Sequence, residues 1–207
     1  MLGQGVLGLS VTYLIGLVML ILVFVFGKIW DRKYTSEFKK DGWSSSIVAK
    51  IAILVAVAAA GGFISIPGPA ASIKLDSTAG YFASIMFGWQ VGGIVAAFGT
   101  FFSNLMSGFS GWAAMVPYYM INMALAVLAY GYISKRFNLV AGMIAGTIVN
   151  TLCIMPWFFM LGWVTMIPIL IPQIVGSFVN CFLATVAYKA INAAKDKKKH
   201  VDIDMVD

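Results

Sequence analysis

Lys74 and Asp76 are a cation and a carboxylate two residues apart, in the segment Ser65 to Thr78 between two long apolar stretches. Opposite charges on a short connection could close over a ligand, or pair with each other in solvent, where such a pair contributes little. Within the apolar stretches the polar and aromatic side chains are Asn104, Tyr118, Tyr119, Asn122, Asn150, Trp157, Gln173 and Asn180. Amides and rings of this kind hold an uncharged, partly aromatic ligand by hydrogen bonding and stacking. The same amides also join helices in lipid, and Trp112, Trp157 and Trp163 would also suit an interfacial belt.

Catalytic equipment is missing. The single histidine, His200, lies in the lysine-rich tail, and every acid except Asp76 falls on the basic connections or in that tail. A proton relay or ion-coupled pump places such groups inside the membrane despite their desolvation cost. Their absence argues against an intramembrane metalloprotease and a serine–histidine hydrolase. No Gly-x-x-x-x-Gly-Lys-Ser/Thr loop is present, so ATP, if it drives the process, is used by another protein. Cys153 and Cys181 sit in separate apolar stretches and suggest neither a disulfide nor a metal site. The expectation is a non-enzyme that binds no metal and no cofactor itself.

These side chains must be positioned by membrane helices. With 61% hydrophobic and 11% charged residues over 207 positions and a mean hydropathy of +0.93, the chain has the bilayer as its solvent. Apolar stretches run over about 5–27, 47–64, 79–107, 113–133, 139–160 and 164–188. A single pass takes about 20 residues, so 79–107 is too long for one untilted crossing. Residues 5–27 have no preceding positive charge and no cleavage site before Lys28, and read as a retained helix.

Charge bias decides the long stretch. If it crosses twice, breaking within Gly88 to Gly93, all 14 basic residues except Lys74 share one side. That side is the cytoplasm by the positive-inside rule. The net charge of +6 then serves lipid headgroups and topology, not nucleic acid. The expected fold is all-α: one additional N-terminal transmembrane helix and a six-helix core with some short or tilted members. The expected division is 1–46 for the first helix and its basic linker, 47–190 for the core and 191–207 for a charged cytoplasmic tail. The N-terminus would lie outside and the C-terminus inside. Asn104, Tyr118 and Asn122 would then lie toward the outer half of their helices, beside Lys74. Together with Asp76, Asn150 and Trp157 they form the candidate ligand-binding set.

Pro67 and Pro69 around Gly68 are expected to stop a helix and fix a turn, and Ser72 to Asp76 suits a strand or lid. Ala52, Ala56 and Ala60 recur every four residues on one helical face, with Ala49 and Ala59 close by. Such a stripe lets a second helix approach closely, either within the chain or from a partner.

The alanine stripe, the run Ser72 to Ala83 and the turn near Gly88 resemble the S components of energy-coupling factor (ECF) vitamin transporters, over about residues 47–190. The resemblance implies six helices with both ends cytoplasmic in a bacterial plasma membrane. It implies capture of a vitamin-like small molecule from outside, the first outer loop acting as a lid. It also implies docking through Ala52, Ala56 and Ala60 onto a transmembrane coupling subunit that works with two ATPase subunits. The segment Leu75 to Ser77 looks most like members linked to cobalamin or precursors such as alpha-ribazole; thiamine, pyridoxine and queuosine precursors stay open. The first helix and the linker 28–46 depart from the simplest members. The alternatives are a stand-alone permease or facilitator, against which there is no internal repeat, and a membrane scaffold that transports nothing.

Overall fold

The computed structural model describes the backbone of residues 2–34, 36, 40–67, 72–111 and 113–204. Gly68 and Pro69, expected to fix a turn, and Trp112 lie outside the described residues, as do the side chains of Lys198, Lys199 and His200. Seven helices of ten or more residues are present among the described residues. They are α1 (Leu2–Lys33), α2 (Ser45–Gly61), α3 (Thr78–Phe87), α4 (Trp89–Met106), α5 (Val116–Arg136), α6 (Leu139–Ile154) and α7 (Phe158–Asp204). A two-stranded antiparallel hairpin, β1 (Ser65–Ile66) and β2 (Ile73–Lys74), joins α2 to α3, with Ser65 opposite Lys74.

Local chemistry sets the boundaries. Ser44 caps α2 by accepting from the Ile47 amide, and Asn138 caps α6 by accepting from the Ala141 amide at 2.7 Å. The long apolar stretch breaks at Gly88, whose φ of 112° few residues other than glycine adopt. A Cβ at Gly80 would stand 2.8 Å from Ala96 Cβ, and one at Gly92 would stand 2.5 Å from Ser84 Cα. These pairs fall symmetrically about Gly88, so α3 and α4 form a tight antiparallel hairpin. Gly162, at φ 72°, kinks the start of α7.

α2 stops earlier than expected. It ends at Gly61, with the Gly62 amide bonded back to Ala58 and Ala59, six residues before Pro67. The reason is steric: any side chain at Gly61 would stand 2.5 Å from the Leu75 carbonyl oxygen, because the returning chain packs against this point.

The bundle has two chemically distinct ends. At one, Trp30 of α1 packs on Tyr132 of α5, Lys135 lies over the Trp30 ring, and Asp31 accepts from Trp89 and Gln90 at the α3–α4 turn. Arg32, Lys33, Lys50, Lys135 and Arg136 belong to the helix ends gathered here. At the other, Tyr13 of α1 donates to the Ala114 carbonyl, and the hairpin β1–β2 covers α4 and α7. Lys74 is at this second end, so the structure separates it from that basic cluster. α1 runs parallel to α5, with Gly16 against Tyr118 at one level and Trp30 against Tyr132 at another.

Three helical stretches, Leu7–Lys33, Ala113–Arg136 and Leu139–Lys197, are long and apolar enough to cross a bilayer, the last containing α6 and α7. Large apolar side chains face outward along them, Leu14, Leu17, Ile21 and Phe24 on α1 and Ile167, Ile171, Ile174 and Phe178 on α7 among them. A water-soluble protein would not carry such continuous exposed stripes. The fold is an all-α membrane protein.

Candidate ligand-binding site

α3 has ten residues, about 15 Å of helix, half the thickness of a bilayer core. Where a full-length helix would continue, the chain instead doubles back as the β1–β2 hairpin. The vacated depth holds a cavity of about 190 Å³. Ser72 to Ser77, α4, α5, α6 and α7 all contribute to its wall.

The hairpin segment is tied down by neutral partners at α4 and α7. Lys74 Nζ donates to Ser107 Oγ at 2.8 Å, and the Lys74 carbonyl accepts from Asn180 Nδ2 at 2.8 Å. Asp76 accepts from Ser103 Oγ at 2.7 Å and from Ser77 Oγ at 2.9 Å. Thr78 Oγ1 donates to Asn180 Oδ1 at 2.7 Å. The two charges therefore go to hydroxyls at the end of α4 and beside α3, not to each other: β2 ends at Lys74, and the chain bends and turns through Leu75 and Asp76. Hydroxyl partners hold a carboxylate without neutralising it, leaving its charge to act on whatever occupies the cavity.

α7 supplies a polar stripe at helical spacing, Gln173, Ser177 and Asn180, between exposed isoleucines. Asn150 of α6 donates through Nδ2 to Ser177 Oγ at 2.7 Å, and Ser177 donates on to the Gln173 carbonyl. That leaves one buried amide atom on the cavity wall without a hydrogen-bond partner, the acceptor Asn150 Oδ1, while the Gln173 side chain meets the Tyr119 hydroxyl on the same wall. Tyr119 and Trp157 meet edge to face on the same wall, ring centroids 6.0 Å apart. An unsatisfied buried polar atom is costly, and a ligand with a complementary donor would satisfy it.

Of the residues expected from sequence, Lys74, Asp76, Asn104, Asn150 and Trp157 line this cavity. Tyr118 and Asn122 do not line it. Both are completely buried, and Tyr118 packs against α1 and donates to the Cys153 carbonyl. The reason is helical phase: one residue along α5 turns a side chain by about 100°, so Tyr119 faces the cavity while Tyr118 faces α1. Tyr119, Gln173 and Asn180 were visible as polar residues in apolar segments; their grouping was not. The Gln173, Ser177, Asn180 spacing is the signal that would have picked out α7.

The alanine stripe lies elsewhere. Ala52, Ala56 and Ala60 are exposed on the outward face of α2, as is Ala49, while Ile47 and Ala58 turn inward onto α3 and α4. The described residues of this chain leave the stripe open.

Fold and site thus define a membrane-embedded protein with a small polar and aromatic cavity at one end. Residues 46–194 match the family described as "ECF transporter, substrate-specific component". The chain belongs to that family, whose members are transporter subunits and not enzymes. A solved structure titled "Structure and mechanism of the S component of a bacterial ECF transporter" aligns with a TM-score of 0.55 at 21% identity. The alignment covers 72% of this chain and 96% of that one, which establishes a shared fold. No curated protein sequence matches. α1 precedes the region that the family accounts for.

Proposed function

We propose that this chain captures a small, largely uncharged, partly aromatic molecule of vitamin type in the cavity beneath the β1–β2 hairpin, as the substrate-specific subunit of an ATP-driven importer. The observation that carries this reading is the unpartnered amide oxygen Asn150 Oδ1 beside the Tyr119–Trp157 pair. Lys74, Asp76, Asn104, Asn150 and Trp157 form the ligand contacts, joined by Tyr119 and Gln173. The hairpin acts as the lid. The cavity opens to the outside of a bacterial plasma membrane, with the N-terminus outside and the basic end in the cytoplasm. Residues 1–46, 47–190 and 191–207 serve as leading helix with linker, binding core and tail.

Volume narrows the ligand. About 190 Å³ lies below the roughly 300–1,000 Å³ of drug-sized sites, which favours a molecule of the size of alpha-ribazole, thiamine or pyridoxine over intact cobalamin. The chain itself binds no cofactor; ATP is used by two ATPase subunits through a transmembrane coupling subunit that docks on Ala52, Ala56 and Ala60. The outward exposure of that stripe supports the docking.

Purification in mild detergent followed by mass spectrometry of retained small molecules tests the binding role. The expected result is one heteroaromatic compound at up to one equivalent, and failure to bind any candidate vitamin at micromolar concentration would sink it. Ala56→Trp should abolish co-purification with the coupling subunit and leave ligand binding intact; unchanged uptake would reassign the stripe to a lipid-facing role.

A further inference from the structure

A second cavity, of about 570 Å³, opens at the basic end, far from the candidate ligand site. Its wall includes Ser134 and Lys135 from α5, Asn138 and Leu139 at the start of α6, and Tyr188 and Lys189 from α7. Two lysines line it and, among the described residues, no carboxylate does. Lys135 is held over the Trp30 ring at 5.2 Å, a contact that leaves its charge uncompensated. The Ser134 hydroxyl is nine-tenths buried and lies on this wall, near the Tyr130 hydroxyl one turn earlier in α5. α6 begins here, and the Asn138 side chain satisfies only the Ala141 amide, leaving the amides of the first turn without helical partners.

We propose that this cavity binds a phosphate group, and that its source is the headgroup of an anionic phospholipid. Two ammonium groups, a buried hydroxyl donor and a helix N-terminus converge on one space, the donor set that recognises phosphate. The cavity lies at the end of the bundle where helix-terminal lysines and arginines gather, the level of the headgroups. From its mouth an apolar, outward-facing ridge runs down α6 through Val140, Ile144, Ile148 and Leu152. An acyl chain attached to the seated phosphate follows that ridge, which a free phosphate would leave unused. The bound lipid bridges α5, α6 and α7.

The test is thermal stability of the purified full chain in neutral detergent, titrated with phosphatidylglycerol, phosphatidylcholine or inorganic phosphate. Phosphatidylglycerol is expected to stabilise saturably, with phosphatidylcholine ineffective. Lys189→Gln should weaken the response roughly fivefold, and Lys135→Gln with Lys189→Gln about 25-fold. Lys189 is exposed, so the single variant keeps the test valid if the double variant misfolds, as judged by elution and tryptophan emission. Stabilisation by millimolar inorganic phosphate equal to that by lipid would support the phosphate site and overturn the lipid as its source. Equal responses to both lipids with none to phosphate, or an anionic response unchanged in folded Lys189→Gln, would overturn the proposal.

Discussion

The two ends of this bundle treat charge in opposite ways. At the hairpin end, Lys74 and Asp76 each meet hydroxyls, and the Asn150 amide oxygen on the same cavity wall is left unsatisfied. On the α1 side of the basic end, Trp30 is fully buried among Tyr34, Tyr132 and Lys135, and the Asp31 carboxylate accepts from both Trp89 and Gln90, although Trp30 Nε1 and Gln90 Oε1 also lack partners among the described residues. Hydroxyl contacts are exchangeable, whereas a filled aromatic cluster resists rearrangement. The proposed ligand cavity and this aromatic cluster thus lie at different ends of one membrane domain. α1, outside the family match, clamps the stable end by gripping the α3–α4 turn.

Substitutions at the two ends should separate these roles. Asp76→Ala removes the carboxylate that anchors the hairpin to α4, so ligand affinity should fall on the order of 30-fold, the weight of a charge-assisted hydrogen bond. The melting midpoint of the unliganded chain should change little; a titration showing unaltered affinity would erase the distinction between the ends. Asp31→Asn has the opposite expectation. It leaves the shape but weakens the bonds from Trp89 and Gln90, lowering stability by about 1 kcal/mol, with ligand affinity within about twofold. Denaturation in mixed micelles and a parallel binding titration measure both. Lys74→Gln is expected to do least, because its bond to Ser107 is exposed: less than about 1 kcal/mol on either readout. A larger loss of affinity in that variant would make Lys74 a principal rather than a peripheral ligand contact and sharpen the account of the hairpin.

Much of the architecture was legible in the residues. Charge bias demanded a reversal within Gly88 to Gly93, and the chain turns at Gly88. The Ser72 to Asp76 segment read as a strand, and β2 forms within it. Its pairing with Ser65–Ile66 was not legible, since two-residue strands leave almost no pattern. Nor was helix rotation. In a soluble helix an apolar stripe marks the buried face, but here Ile53 faces outward and Ile47 inward on the same helix. With lipid as apolar as the core, hydrophobicity cannot distinguish them. This is why Tyr118 and Tyr119 could not be told apart, and why Ala56 could equally have packed inside. The stop of α2 at Gly61 escaped for a related reason: it depends on where Leu75 returns in space.

The central claim is that ligand binds beneath the hairpin, against Trp157 and Asn150. The most direct measurement is a fluorescence titration of the purified chain with its retained compound, repeated with Trp157→Phe and Asn150→Ala. The account expects a saturable emission change that Trp157→Phe largely abolishes and a loss of affinity of about tenfold in folded Asn150→Ala. Undiminished affinity in Asn150→Ala, with the full emission change persisting in Trp157→Phe, would place the ligand elsewhere and contradict it.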